Sequence, residues 1–73
     1  MEREGYREAL ELIQMKYPDE ILLSVRQTAD FLHLEMHTIY KLIKKGKIKA
    51  TAISDKTKRI AVTNLANYMC GGR

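Results

Sequence analysis

The sequence lacks the features that mark secreted, disulfide-bonded or membrane-spanning proteins. Its one cysteine, Cys70, cannot form a disulfide within the chain, which suits a reducing compartment. No apolar run approaches the roughly 20 residues that a membrane helix needs. The charged residues Glu2, Arg3 and Glu4 do not resemble the apolar core of a signal peptide. We therefore expect a cytoplasmic protein.

The sequence also lacks the groupings of residues that are typical of a catalytic site or a metal site. No nucleophile is found together with a base and an orienting group, and the acidic residues near the N-terminus resemble a solvated helix face. His33 and His37 are four residues apart, but a helix break is expected between them, and no carboxylate or cysteine completes a convincing set. A chain of 73 residues forms one small domain with little room for a deep pocket. We expect no enzyme activity, no cofactor and no metal.

Charge is unevenly distributed along the chain. From Met1 to Leu23 there are three basic and six acidic residues, a net charge of −3, whereas from Ser24 to Arg73 there are ten basic and three acidic residues, a net charge of +7. A polyanion is therefore expected to bind the C-terminal two thirds of the chain. Lysine clusters also serve solubility, and that interpretation stays open for the lysines taken alone.

The N-terminal segment predicts an amphipathic helix from Glu2 to Lys16, because its apolar residues recur at helical spacing. Pro18 ends it, since proline disfavours helical backbone at the residue before it. Residues 21–23 are expected to be extended. The helix has two possible roles, which the sequence does not separate: it fills the small core, or it is an interface for a second copy or another protein.

A pair of short helices is predicted next. Ser24 is expected to cap a helix from Val25 to about Leu32. Residues 33–35 make a tight turn, and a second helix runs from about Met36 to Lys45. Gly46 ends it, because glycine readily takes the left-handed conformation that closes helices.

Beyond Gly46 the pattern changes to that of a β-hairpin. Ile48 to Ile53 alternates apolar with polar or small residues, residues 54–57 form the turn, and a short strand through Lys58, Arg59 and Ile60 returns. A C-terminal helix is predicted from Val62 or Asn64 to Cys70.

Two short helices joined by a three-residue turn indicate a helix-turn-helix. Ala29 is small where the second helix must approach, and Ile39 and Leu42 point back towards the first helix. The outward face of the second helix then fits the major groove of DNA. That face consists of Glu35, Met36, His37, Tyr40, Lys41 and Lys44.

These residues resemble the excisionase-type, MerR-like winged helix-turn-helix family over about residues 22–69. Residues 38–43, Thr-Ile-Tyr-Lys-Leu-Ile, match the family's Thr-Val-Tyr-Arg-Leu-Ile pattern. Residues 46–50 are similar to its Gly-Arg-Leu-Pro-Ala segment, and Arg59-Ile60 followed by Leu65, Tyr68 and Met69 to its closing pattern. Three positions depart from it: His33 replaces the turn glycine, Glu35 replaces a capping Ser or Thr, and Lys49 replaces a proline.

The resemblance implies an α+β, mostly helical fold: a winged helix-turn-helix over residues 21–70, preceded by the amphipathic helix of residues 1–20 and followed by a tail of residues 71–73. It implies that double-stranded DNA is bound by the second helix, with the first helix and wing in support. The expected contacts on the second helix are Glu35, Met36, His37, Thr38, Tyr40, Lys41, Lys44 and Lys45. Those on the first helix and wing are Ser24, Arg26, Gln27, Lys47, Lys49, Lys56, Lys58 and Arg59.

Several alternatives stay open. Tyr40 contacts a phosphate or covers the edge of the core, and His37 contacts DNA or is simply exposed. In function, the family resemblance implies an excisionase of a mobile element that binds repeated sites, assists an integrase-type recombinase and works at the bacterial nucleoid. A small transcriptional regulator and a protein-interaction adaptor are the alternatives.

Overall fold

The computed structural model describes residues 4–71 and contains four helices and a three-stranded antiparallel sheet. This confirms the predicted winged helix-turn-helix fold class. The elements, in chain order, are α1 (Tyr6–Lys16), β1 (Leu22–Ser24), α2 (Val25–Leu32), α3 (Met36–Lys44), β2 (Thr51–Ala52), β3 (Lys58–Ala61) and α4 (Val62–Met69).

Helix α1 begins later than the sequence predicts. The predicted start at Glu2 lies outside the described residues, but Gly5 has a left-handed backbone (φ 85°), which a right-handed helix cannot contain. Gly5 acts instead as the residue before the first turn, and its carbonyl accepts from the amide of Ala9 at 2.9 Å. The helix therefore starts at Tyr6 and ends at Lys16, two residues before Pro18.

Helix α1 packs against α4 and shares the core of the rest of the chain. Ala9 and Ile13 are buried in the same cluster as Leu23, Ile39 and Leu65. The inner face of α1 thus has one of the two roles predicted for the N-terminal helix, which is to fill the core.

Tyr17 ties the end of α1 to α2. Its ring lies 6.4 Å from that of Phe31, and its hydroxyl donates to the backbone carbonyl of Gln27 at 3.3 Å. Partial burial raises the pKa of Tyr17 above its usual value, and the nearby carboxylates of Asp30 and Glu20 raise it further. The neutral hydroxyl that donates this bond is thereby favoured.

The tight turn between α2 and α3 is built on His33, which has a left-handed backbone (φ 58°). The amide of Leu34 donates to the carbonyl of Ala29 at 2.9 Å, and the amide of His33 to that of Asp30 at 3.3 Å. This pair of bonds is the Schellman closure, which usually has glycine at the left-handed position. Gly46 closes α3 in the same way, through bonds from Gly46 to Ile43 and from Lys47 to Leu42.

The sheet has the order β1-β3-β2, so β3 is the central strand. The predicted outer strand from Ile48 to Ile53 was too long: only Thr51–Ala52 pairs with β3. The amide of Ile48 still bonds to the end of α3, and its side chain is buried in the core, so the chain cannot join the sheet earlier.

The remaining predicted boundaries agree closely with the structure. The hairpin turn is closed by bonds between Ser54 and Thr57. The second helix of the pair ends at Lys44 rather than Lys45, and the C-terminal helix starts at Val62 and ends at Met69 rather than Cys70. In residues 4–71, no helix is both long and apolar enough to cross a membrane.

Candidate nucleic-acid interface

A shallow groove of about 190 Å³ lies between the start of α2, the outer face of α3 and the hairpin wing. It brings together three segments that are far apart in the sequence. We call it the wing groove. Its lining residues are Ser24, Val25, Arg26, Met36, Tyr40, Lys56, Thr57, Lys58 and Arg59.

The pairing of strands explains why these segments meet. In β3, Arg59 lies opposite Ser24 on one side and Thr51 on the other, so the central strand holds the wing beside the start of α2. On α3, Met36 and Tyr40 are four residues apart and therefore share one face of the helix. The groove is thus positioned by regular secondary structure on each side.

The wing groove is lined by both apolar and cationic side chains. Met36 and Tyr40 are 42% and 46% exposed, whereas the neighbouring Ile39 is fully buried. Four cationic side chains line the same groove, and no carboxylate does. None of the four is in an ion pair with another residue of the range 4–71. The groove therefore combines apolar surface with positive charge, which suits a sugar-phosphate strand. The four cations are Arg26, Lys56, Lys58 and Arg59.

Three other predicted contacts at the start of α3 lie outside the groove lining: Glu35, His37 and Thr38. Glu35 is the residue before the helix, and its side chain makes no capping hydrogen bond. Its carboxylate lies 3.2 Å from Nδ1 of His37, and both side chains are well exposed. Thr38, in the same turn, is half-buried.

The lysines around the C-terminal half of α3 form a second basic surface. They are exposed, none lines the wing groove, and none pairs with a carboxylate of residues 4–71. Lys41 and Lys44 are also placed favourably at the negative end of the helix dipole. The nine predicted basic contacts therefore divide into a groove set, the four cations that line the wing groove, and this lysine set, which consists of Lys41, Lys44, Lys45, Lys47 and Lys49.

Ser24 and Gln27 are engaged in holding α2. The Ser24 hydroxyl accepts from the amide of Gln27 at 3.0 Å, and the Gln27 side-chain oxygen accepts from the amide of Ser24 at 2.8 Å. The Gln27 side-chain nitrogen also donates to the carboxylate of Glu20 at 2.7 Å. The predicted cap at Ser24 is confirmed, but the part of Gln27 in this capping box was missed. The Ser-x-x-Gln spacing is a signal that could have revealed it.

Two groove residues were not among the predicted contacts. Val25 is buried in the core while also bordering the groove. Thr57 was treated only as a turn residue, although it lines the groove together with the basic residues of the wing. No spacing rule identifies it, because its position depends on how the wing meets α3.

Residues 4–71 contain no group of three or more His, Cys, Asp or Glu side chains that could hold a metal ion. His33 and His37 are separated by the helix turn, and His37 is paired with Glu35. The groups that line the wing groove are therefore cations, hydroxyls and apolar side chains.

Comparison with known proteins gives one family. A family model described as a helix-turn-helix domain matches residues 22–73, which is most of the chain. No curated protein and no solved structure matches it. The matched residues contain α2, α3, the wing and α4, the elements on which the resemblance to excisionase-type proteins rests. The chain therefore belongs to the helix-turn-helix domain family, which supports DNA as its partner.

Proposed function

We propose that this protein binds double-stranded DNA at specific repeated sites as an excisionase-type recombination directionality factor of a mobile element, assisting an integrase-type recombinase. The observation that carries the DNA-binding part is the wing groove. Its lining contains apolar side chains, four cations and no carboxylate, and it lies between a helix that fits the major groove and a wing.

The arrangement suggests how the duplex lies. With the outer face of α3 in the major groove and the wing along the neighbouring groove, the sugar-phosphate strand that separates the two passes over the wing groove. Arg26, Lys58 and Arg59 then neutralise its phosphates. Met36 and Tyr40 contact sugars and base edges, including thymine methyl groups.

The lysine set would contact the phosphates farther along the same duplex. Each phosphate neutralised adds about −0.9 to the slope of log K against log salt concentration. Six or more such contacts would lower affinity by orders of magnitude between low and moderate salt. Affinity that did not change with salt would contradict this electrostatic part of the proposal.

The recombination role rests on the resemblance to excisionases, and footprinting separates it from its alternatives. The DNA to use is that of the gene's own neighbourhood. Repeated protected sites beside a recombinase attachment sequence would support the proposal. A single protected operator in a promoter would indicate a transcriptional regulator instead. The absence of any specific footprint would indicate a protein-interaction adaptor.

A matched pair of variants tests the assignment of α3. Tyr40→Ala combined with Lys41→Glu changes the outer face of α3, and Lys16→Glu makes the same change of charge on α1, away from the groove. We expect the first to reduce affinity for a duplex with a single site at least tenfold and the second to leave it nearly unchanged, measured by fluorescence anisotropy. Circular dichroism checks folding. Equal losses of affinity in the two variants would show that binding depends only on the net charge of the protein.

A further inference from the structure

The outer face of α1 is not used by the fold or by the wing groove. Its inner residues Ala9 and Ile13 are buried, but Leu12 is 54% exposed and Met15 is 79% exposed. No residue of α1 lines the wing groove. This face also carries a shallow depression lined by Glu11, Gln14 and Met15. Large apolar side chains exposed together on one helix face point to a contact surface.

Charges along this face are arranged symmetrically about Leu12. Glu8 lies four residues before it and Lys16 lies four residues after it, close to the same side of the helix. If two copies of α1 pair in an antiparallel way, centred on Leu12, then each Glu8 meets Lys16 of the second copy. Such a two-fold arrangement is self-complementary, because the same patch serves both sides.

The two charged residues are available for this pairing. Glu8 has no partner among residues 4–71, and Lys16 makes only a contact of 5.8 Å over the ring of Tyr17. A lysine side chain is flexible enough to turn its ammonium group towards a neighbouring carboxylate. In the parallel arrangement Glu8 would instead face a second Glu8, which is unfavourable.

We propose that the outer face of α1 binds a second copy of this chain, as an antiparallel helix pair with Leu12 against Leu12 and Glu8 against Lys16. The inference is independent of which DNA process the protein serves. The wing groove has no α1 residue in its lining, so the paired surfaces do not include it.

The size of the surface sets the strength of the pair. Helix α1 has 11 residues and is about 16 Å long. The surface area that the helix pair buries is therefore well below the roughly 1,200 Å² that stable interfaces bury. The dimer is therefore weak in free solution. It strengthens when DNA holds two copies side by side, because their effective concentration rises. A two-fold pair favours inverted over direct repeats of the binding site.

Cysteine cross-linking tests the register without DNA. In a Cys70→Ser background, which removes the native thiol, Leu12→Cys is compared with Met15→Cys at high protein concentration under mild oxidation. In the proposed pair the two residues at position 12 are adjacent, whereas those at position 15 are offset by about 9 Å along the axis. We expect dimers to form several-fold faster through position 12.

If cross-links formed by random collision alone, they would form faster through position 15, since Met15 is the more exposed residue. Faster cross-linking through position 15, equal rates, or no dimer at either position would overturn the proposal. If α1 instead binds another kind of protein, such as a recombinase, no dimer would form at either position.

A charge exchange gives a second test that does not depend on cysteine. Glu8→Lys or Lys16→Glu alone is expected to weaken dimerisation about two- to fivefold for each pair lost, and the two together to restore it. Analytical ultracentrifugation measures the dimer. Affinity for a single-site duplex, measured separately, should stay the same in all three variants. Failure of the double variant to recover would contradict the antiparallel register.

Discussion

The two helices of the helix-turn-helix begin in different ways. Helix α2 begins with a complete capping box, in which Ser24 and Gln27 satisfy each other's backbone amides. Thr28, fully buried in the next turn, donates its hydroxyl to the carbonyl of Ser24 at 3.0 Å. Helix α3 begins at Glu35, whose side chain makes no capping bond and lies at the surface beside His37.

This difference separates polar groups that hold the fold from polar groups that lie at the surface. The polar groups at the start of α2 are bound within the protein, so they fix the helix and have little capacity left for a ligand. Those at the start of α3 are exposed, and the amides of its first turn have no side-chain acceptor. The first turn of α3 has thus kept hydrogen-bonding capacity at the cost of some stability.

The largest difference in stability is expected between substitutions of two adjacent residues of α3. Ile39 is fully buried and Tyr40 is almost half exposed. Ile39→Ala should lower the free energy of unfolding by about 2–5 kcal/mol, because it leaves a cavity in the core. Tyr40→Ala should cost less than about 1 kcal/mol, yet it should weaken DNA binding. Urea denaturation and anisotropy measure the two quantities. If Tyr40→Ala destabilised as much as Ile39→Ala, Tyr40 would belong to the core.

An intermediate effect is expected at the two helix starts. Ser24→Ala should lower the free energy of unfolding by about 0.5–2 kcal/mol, because it removes the cap of α2. Glu35→Ala should change it by less than about 0.5 kcal/mol, since no capping bond is lost. Urea denaturation of both variants, compared at constant m-value, provides the check. Similar losses in both would mean that Glu35 caps α3 in solution and that the contrast between the helices is false.

The smallest effect is expected at the turn that joins the two helices. His33→Gly should raise the free energy of unfolding by up to about 1 kcal/mol, because glycine adopts the left-handed backbone there without strain. The matched control is His37→Gly, which places glycine inside α3 and should lower stability by about 0.5 kcal/mol. Thermal denaturation compares the two. A loss in His33→Gly would show that the histidine side chain stabilises the turn.

Local signals predicted most of the fold. Ser24, Pro18 and Gly46 mark helix ends through backbone chemistry that needs only neighbouring residues, and their predicted roles are confirmed. The outer strand of the wing was predicted too long, because alternation is also produced when a residue such as Ile48 reaches into the core. The pairing of β1 with β3 was not predicted, since it joins segments more than 30 residues apart.

The candidate site was less predictable than the fold. The outer face of α3 follows from helical spacing alone, but the wing groove depends on tertiary contacts that bring Arg26 and Lys58 to the same place. Sequence patterns therefore grouped the groove set and the lysine set together as one basic surface. Only the folded arrangement separates them.

Strand β3 makes the wing and the core mechanically continuous. It is hydrogen-bonded to β1 through three residue pairs and to β2 through two, and its residue Ile60 is fully buried. A force applied to the wing is therefore carried by β3 to the residues just before α2. Among residues 53–57 the tip has only its own turn bonds, so it can adapt its shape while its base stays fixed. If the wing contacts DNA as proposed, its tip can fit grooves of different width while its base holds its position.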